Sequence, residues 1–155
     1  MKYLKETTDV ADTSLLKSLT NPIIIDVRST KEVEACRGGV SVEGSIHVPI
    51  NVDGQPQSTH VTTTEEFYHK LLSAGVVTID LLSNDDGNDN SDNSNNNKNN
   101  NNKNQSYITH CTAGNTTYIG RGARAAAILR NLGFNNSYNG GSANEIRAAF
   151  EGREY

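Results

Sequence analysis

The sequence predicts a single α/β domain built on a mostly parallel sheet. Three observations lead there. Strand-like and helix-like segments alternate along the chain, the order that lays helices against the faces of a parallel sheet. Ile23-Ile24-Ile25-Asp26-Val27 is a continuous run, β-branched apart from its acid, which suits a strand covered on both faces. A second strand-like run, Tyr107-Ile108-Thr109-His110, leads through small residues into an Ala- and Leu-rich segment, the step from strand to helix that such folds repeat.

Each element has its own signal. Asp12 or Thr13 caps a short helix through Leu19, with Leu15, Leu16 and Leu19 on its apolar side, and Asn21-Pro22 ends it. After the first strand, residues 28–35 are polar and form a helical turn. Ser45-Ile46-His47-Val48 is a short strand stopped by Pro49. Thr62, Thr63 or Thr64 caps a helix carrying Phe67, Leu71 and Leu72, and Gly75 closes it. Residues 76–82 are apolar, either strand or packed connector. After the strand at Tyr107, a helix over residues 123–132 ends at Gly133. Asn136-Ser137-Tyr138 is a last strand, Gly140-Gly141 a turn, and residues 143–150 a closing helix.

Residues 84–105 are almost entirely Asn, Asp, Ser and Lys and cannot bury anything. Strand-like sequence resumes right after them, so the tract splits a loop and is no domain boundary. It reads as a solvated insertion within one domain spanning residues 1–155, or as a β-prone interaction element. The other 133 residues suffice for a hydrophobic core. Net charge is −4, and the tract carries −2 of it; a near-neutral body argues against general nucleic-acid binding. Two cysteines do not make a disulfide scaffold. No apolar run approaches the ~20 residues needed to span a bilayer, and the first residues lack the apolar core of a signal peptide. The expectation is a cytoplasmic monomer with reduced thiols, bound to neither nucleic acid nor membrane.

The chemistry centres on Cys111. It follows a predicted buried strand and precedes the small residues Thr112, Ala113, Gly114 and Asn115. Open α/β sheets bind ligands beyond the carboxyl ends of their strands. A helix start adds unpaired N–H groups and a positive dipole end, and small residues let amides turn inward as an anion cradle. Cysteines in such fields, or beside cations, fall from a pKa of ~8.5 into the range ~3.5–7.5. Arg121 and Arg124 add positive charge nearby. The arrangement is that of a nucleophilic thiolate facing an oxyanion. A buried cysteine that merely fills space is the structural alternative.

At these residues the chain resembles the rhodanese (thiosulfate sulfurtransferase) family. Ile24-Ile25-Asp26-Val27-Arg28 with Glu32 is similar to the family's Asp-x-Arg…Glu segment. Gly39-Val40 and Gly44-Ser45-Ile46-His47-Val48-Pro49 resemble its Gly-His-Ile-Pro-Gly-Ala stretch. Residues 107–115 resemble the strand and active-site loop. Arg121-Gly122-Ala123-Arg124-Ala125-Ala126-Ala127-Ile128-Leu129 with Leu132-Gly133-Phe134 resembles the following helix, and Tyr138-Asn139-Gly140-Gly141 the closing turn. The resemblance implies a three-layer α/β/α domain. It also implies an enzyme in which Cys111 accepts a sulfane sulfur from a donor such as thiosulfate, becomes a persulfide, and passes the sulfur to cyanide or a thiol. The donor would be a small molecule or a protein, and no cofactor or metal is implied. Thr112, Ala113, Gly114 and Asn115 would hold the persulfide and the donor's oxyanion, with Arg121 attracting an anionic donor. Asp26, Arg28 and Glu32 would form an ion-pair network beneath the loop.

Nine residues separate Cys111 from Arg121, more than the family's short loop has. The added stretch either bulges outward or lengthens the pocket. His110-Cys111 with Arg121-Gly122-Ala123-Arg124 also resembles the loop of rhodanese-fold phosphatases and arsenate reductases. That chemistry needs an Arg gripping equatorial oxygens. The position six beyond Cys111 is Thr117, so a folded-back loop would have to bring in Arg121. A non-catalytic rhodanese-like binding module is the third reading. His110 either tunes Cys111 or is a strand-end histidine satisfied by backbone. Arg37 either reaches the pocket rim or is a solvated loop residue. Cys36 is an unpaired thiol or a resolving partner for Cys111, and Tyr118 covers the pocket or is exposed. His47, His60 and His69 show no metal-site spacing.

Overall fold

A computed structural model describes residues 11–52, 61–77, 104–112 and 120–151. The expectations for residues 78–82, for the tract up to residue 103, for His60 and for Ala113, Gly114, Asn115 and Tyr118 lie outside the described residues.

The elements follow in the predicted alternation: α1 (Thr13–Ser18), β1 (Ile23–Asp26), α2 (Thr30–Glu34), β2 (Ile46–His47), α3 (Thr64–Ser73), β3 (Tyr107–Cys111), α4 (Arg121–Asn131), β4 (Ser137–Ser142) and α5 (Ala143–Phe150). The four strands form one sheet in the order β2-β1-β3-β4, and every pairing is parallel. At the foot of the sheet the Ile23 N–H donates to the Ser106 carbonyl, and Gln105 Nε2 donates to the Asn21 carbonyl.

Side chains alternate across the strands, and this sorts the helices into layers. Ile25, Val27, Tyr107 and Cys111 pack with Phe67 and Leu71 of α3 and with Ala125, Ile128 and Leu129 of α4. Ile24 and Ile108 point the other way, toward Leu16 of α1 and Ile146 and Ala149 of α5. The domain is therefore a three-layer α/β/α sandwich. The crossovers β2→β3 and β3→β4 move the same way across the sheet, and a shared handedness puts α3 and α4 on one face.

Helix starts are fixed locally. Asp12 Oδ1 accepts from the Leu15 N–H. Ser29, Thr63 and Ser142 each open a capping box with the glutamate three residues on, Glu32, Glu66 and Glu145. Of the three threonines offered by the sequence, Thr63 is the cap. Two expectations are corrected. Gly140-Gly141 is not a turn: both glycines lie within β4, whose register against β3 shifts between Thr109 and Cys111. Gly141 has φ +85° there, and a Cβ on Gly140 would stand 2.5 Å from Ile108 Cγ2, so the pair makes a bulge under close packing. Helix α4 starts at Arg121, earlier than residue 123, with Gly120 as a cap that has no side-chain bond.

The connection leaving β1 goes to β2 on one side, and that leaving β3 goes to β4 on the other. The carboxyl ends of β1 and β3 thus flank the topological switch point, where open α/β sheets hold ligands.

Candidate functional site

Cys111 is the last residue of β3, directly at that switch point. Its side chain is 5 % exposed and belongs to the apolar cluster beneath α3 and α4. The other thiol, Cys36, is exposed. The start of α4 closes on Cys111: a Cβ built on Gly120 would stand 3.7 Å from Cys111 Sγ, and one on Gly122 would stand 3.4 Å from the Cys111 nitrogen. A small residue is needed at Gly122 for α4 to lie this close, since its Cβ would also come within 2.9 Å of Asn139 Oδ1. Thr109 Oγ1 fastens the two elements by donating to the Gly122 carbonyl at 2.6 Å.

Two ion pairs underlie the site, where the sequence implied one network. In the first, Arg28, with no exposed surface, holds Asp26 through Nε at 2.9 Å and Nη2 at 2.6 Å. Its Nη1 donates to the carbonyls of Arg37 at 2.8 Å and Gly39 at 2.6 Å. Arg37 thus enters the site through its backbone. Burial opposes the Asp26 charge, but the Arg28 hydrogen bond, with help from His110, outweighs it and holds the carboxyl below its ordinary range.

The second pair crosses the switch point from α2 to α4. Arg121 Nη1 donates to Glu32 Oε2 at 2.6 Å and to Asn51 Oδ1 at 2.9 Å. Its Nη2 donates to Glu32 Oε1 at 2.7 Å and to Thr112 Oγ1 at 3.3 Å. Glu32 Oε2 also accepts from the Ser29 N–H and hydroxyl, both at 2.8 Å. Burial works against both charges; the hydrogen bonds between them prevail, lowering the Glu32 pKa and raising that of Arg121. Arg121 lies beside Thr112, the residue that follows Cys111, and is engaged with Glu32.

His110 lies across the sheet from the Cys111 side chain, level with Asp26 in the paired strands. Its Nδ1 is 3.4 Å from the Cys111 carbonyl, and its Nε2 is 3.9 Å from Asp26 Oδ2. Burial depresses its pKa despite the attraction of Asp26. The His110 ring meets the Cys111 residue at its carbonyl. Arg124 sits one turn into α4 with its Nε buried and unbonded among the described residues. His47 Nε2 bonds the Arg28 carbonyl at 2.8 Å, and His69 lies 3.9 Å from Glu65. No cluster of three or more His, Cys, Asp or Glu that could hold a metal occurs among the described residues.

Asn51 was missed at the sequence level, because nothing local marks an asparagine as a partner for a distant arginine. The α2 cap was readable in Ser29-x-x-Glu32. Gly38 was missed too: at φ +82° its added Cβ would stand 2.6 Å from the Thr112 carbonyl oxygen. Gly38→Ala is expected to destabilise by about 2–4 kcal/mol, from left-handed strain plus overpacking. Urea denaturation checks this, and a loss below about 1 kcal/mol would mean the two segments yield freely.

No protein-family model matches the chain, and no curated protein matches it.

Proposed function

We propose that the chain is a rhodanese-like sulfurtransferase in which Cys111 carries a sulfane sulfur from a donor to a thiol or cyanide acceptor. The observation that carries this reading is the position of Cys111: it ends an inner parallel strand at the switch point, with Gly120, the N-cap of α4, beside its Sγ. In the step proposed, the thiolate attacks the outer sulfur of the donor. A Cys111 S–S bond forms, the donor's own S–S bond breaks, and its electron pair leaves as sulfite or a thiolate. A second attack by the acceptor restores Cys111. The step needs no metal or organic cofactor. Ala113, Gly114 and Asn115 keep their sequence-based assignment to donor binding. The reading places the protein in the cytoplasm as a monomer; no helix among the described residues is long and apolar enough to cross a membrane.

Phosphoryl or arsenate chemistry is less well supported. It needs an arginine able to grip oxyanions, and Arg121 grips Glu32 with both terminal nitrogens. One observation favours the non-catalytic module: the low exposure of Cys111 within an apolar cluster.

Intact mass after incubation with sulfane-sulfur donors separates these readings. Wild type is expected to gain one sulfur atom, and Cys111→Ser none. No mass gain in either protein with any donor, together with a thiol no more reactive to iodoacetamide than free cysteine, would leave the binding module.

A further inference from the structure

We propose that Glu32 sets the charge selectivity of the Cys111 site, so that the site favours a sulfur donor of low charge, a persulfide on a small or peptidic thiol, over a dianion such as thiosulfate. The statement about the donor rests on the sulfurtransferase reading; the statement about charge does not.

The argument starts from the donors of one guanidinium. Arginine carries five N–H groups, four of them on its terminal nitrogens. In Arg121 the terminal nitrogens make four hydrogen bonds: two to Glu32, one to Asn51 and one to Thr112. The two Glu32 bonds run from separate terminal nitrogens to separate carboxylate oxygens, a bidentate pair, the strong form of this interaction. Asn51 is 2 % exposed, and the side chains of Arg121 and Glu32 are 7 % and 11 % exposed. Glu32 is itself anchored by the Ser29 N–H and hydroxyl. An incoming anion therefore meets a guanidinium whose terminal N–H groups are taken and whose charge is already balanced by Glu32 at contact distance.

This pair lies where the thiol feels it. Arg121 reaches Thr112, the residue after Cys111, and Gly120, the residue before Arg121, abuts Cys111 Sγ. The other charged groups near this end of the sheet are the same with and without Glu32, so they cancel when wild type is compared with a Glu32 variant. From β1, Asp26 is matched by Arg28 on the opposite face of the sheet. From β3, His110 lies across the sheet, with its charge disfavoured by burial. From α3, Lys70 is tied to the carbonyls of Pro49 and Asn51. Arg124, one turn into α4, is half-buried with its Nε unbonded among the described residues and carries its charge in wild type and variant alike. A guanidinium without Glu32 would draw a dianion strongly at this range; with Glu32 that pull is largely cancelled. A low-charge donor loses nothing by the cancellation. Its transfer step balances: the Cys111 thiolate bonds the outer sulfur of R–S–SH, the donor's S–S bond breaks, and R–S⁻ departs with the electron pair.

The test compares alkylation by iodoacetate and by iodoacetamide. Both attack the thiolate, so the ionised fraction cancels in the ratio of their rates and the ratio reports local charge. Wild type is expected to match free cysteine within about twofold, and Glu32→Gln to raise the ratio about fivefold or more. Glu32→Gln with Arg121→Gln should bring it back. A purely structural role would move both reagents together and leave the ratio fixed. The proposal is overturned by a wild-type ratio already about fivefold above free cysteine, by an unchanged ratio in a folded Glu32→Gln protein, or by a thiol that neither reagent reaches. Should Glu32→Gln fail to fold, the wild-type ratio decides. For the donor, wild type should take up sulfur at least about tenfold faster from cysteine persulfide than from thiosulfate; the reverse order refutes the donor assignment. Uptake from neither donor refutes the sulfurtransferase reading, while the alkylation ratio still decides the role of Glu32.

Discussion

Replacing Arg28 with Ala is expected to cost about 3–5 kcal/mol, because it strands a buried carboxylate. Asp26 is 1 % exposed and Arg28 fully enclosed, so water cannot take over the lost bonds. The carbonyls of Arg37 and Gly39 lose their donor as well. A domain of ordinary stability holds only about 5–15 kcal/mol in reserve, so the variant should melt far below wild type or fail to fold. A double change, Asp26→Leu with Arg28→Met, removes both charges and should recover part of the loss. Recovery stays incomplete because the two carbonyls remain unbonded. Urea titrations of the three proteins check this ordering. A single variant within about 1 kcal/mol of wild type would show that the pair is not held as described.

Stability is also expected to fall in two stages as pH drops. The upper stage belongs to His110. Burial holds its pKa below 6.5 in the folded state, so below pH ~6.5 the unfolded chain takes up a proton that the folded one refuses. Stability then declines by at most about 1.4 kcal/mol per pH unit until the folded pKa is reached. The lower stage belongs to Asp26 and Glu32, whose folded pKa values are depressed. Their contribution is present above the unfolded carboxylate range, near pH ~4, and is lost as pH falls through the folded values. Thermal melts against pH should show both stages; His110→Asn should flatten the upper one and, by removing the attraction of His110 for Asp26, make the lower one shallower. An unchanged upper limb in that variant would assign the loss to another group.

Much of the architecture was legible because it depends on period and caps. The run Ile23 to Val27 gave β1, and its lack of a polar face signalled helices on both sides, as found with α3 and α4 opposite α1 and α5. The closing helix matches its predicted span. The misreadings arose where glycine has more than one use. Gly140-Gly141 carries the mark of a turn, yet it serves a bulge that lets α5 press on Ile108. The placement of Cys111, Arg121, Glu32 and Asp26 at one end of the sheet follows from strand order. Their pairing does not. Glu32 and Arg121 are 89 residues apart, and Asp26 offered Arg28 a partner just two residues away. Local sequence cannot tell which carboxylate takes which guanidinium when several converge.

Strand β3 has one more consequence. It starts next to Ser106, which is bonded to Ile23 at the foot of the sheet, and it ends at Cys111. The carboxyl-terminal end of the asparagine-rich stretch, at Gln105, is therefore bonded at the pole opposite the nucleophile, ~13 Å away along the strand. A pull transmitted through that end meets the foot of the sheet first, one strand length from the reactive pole.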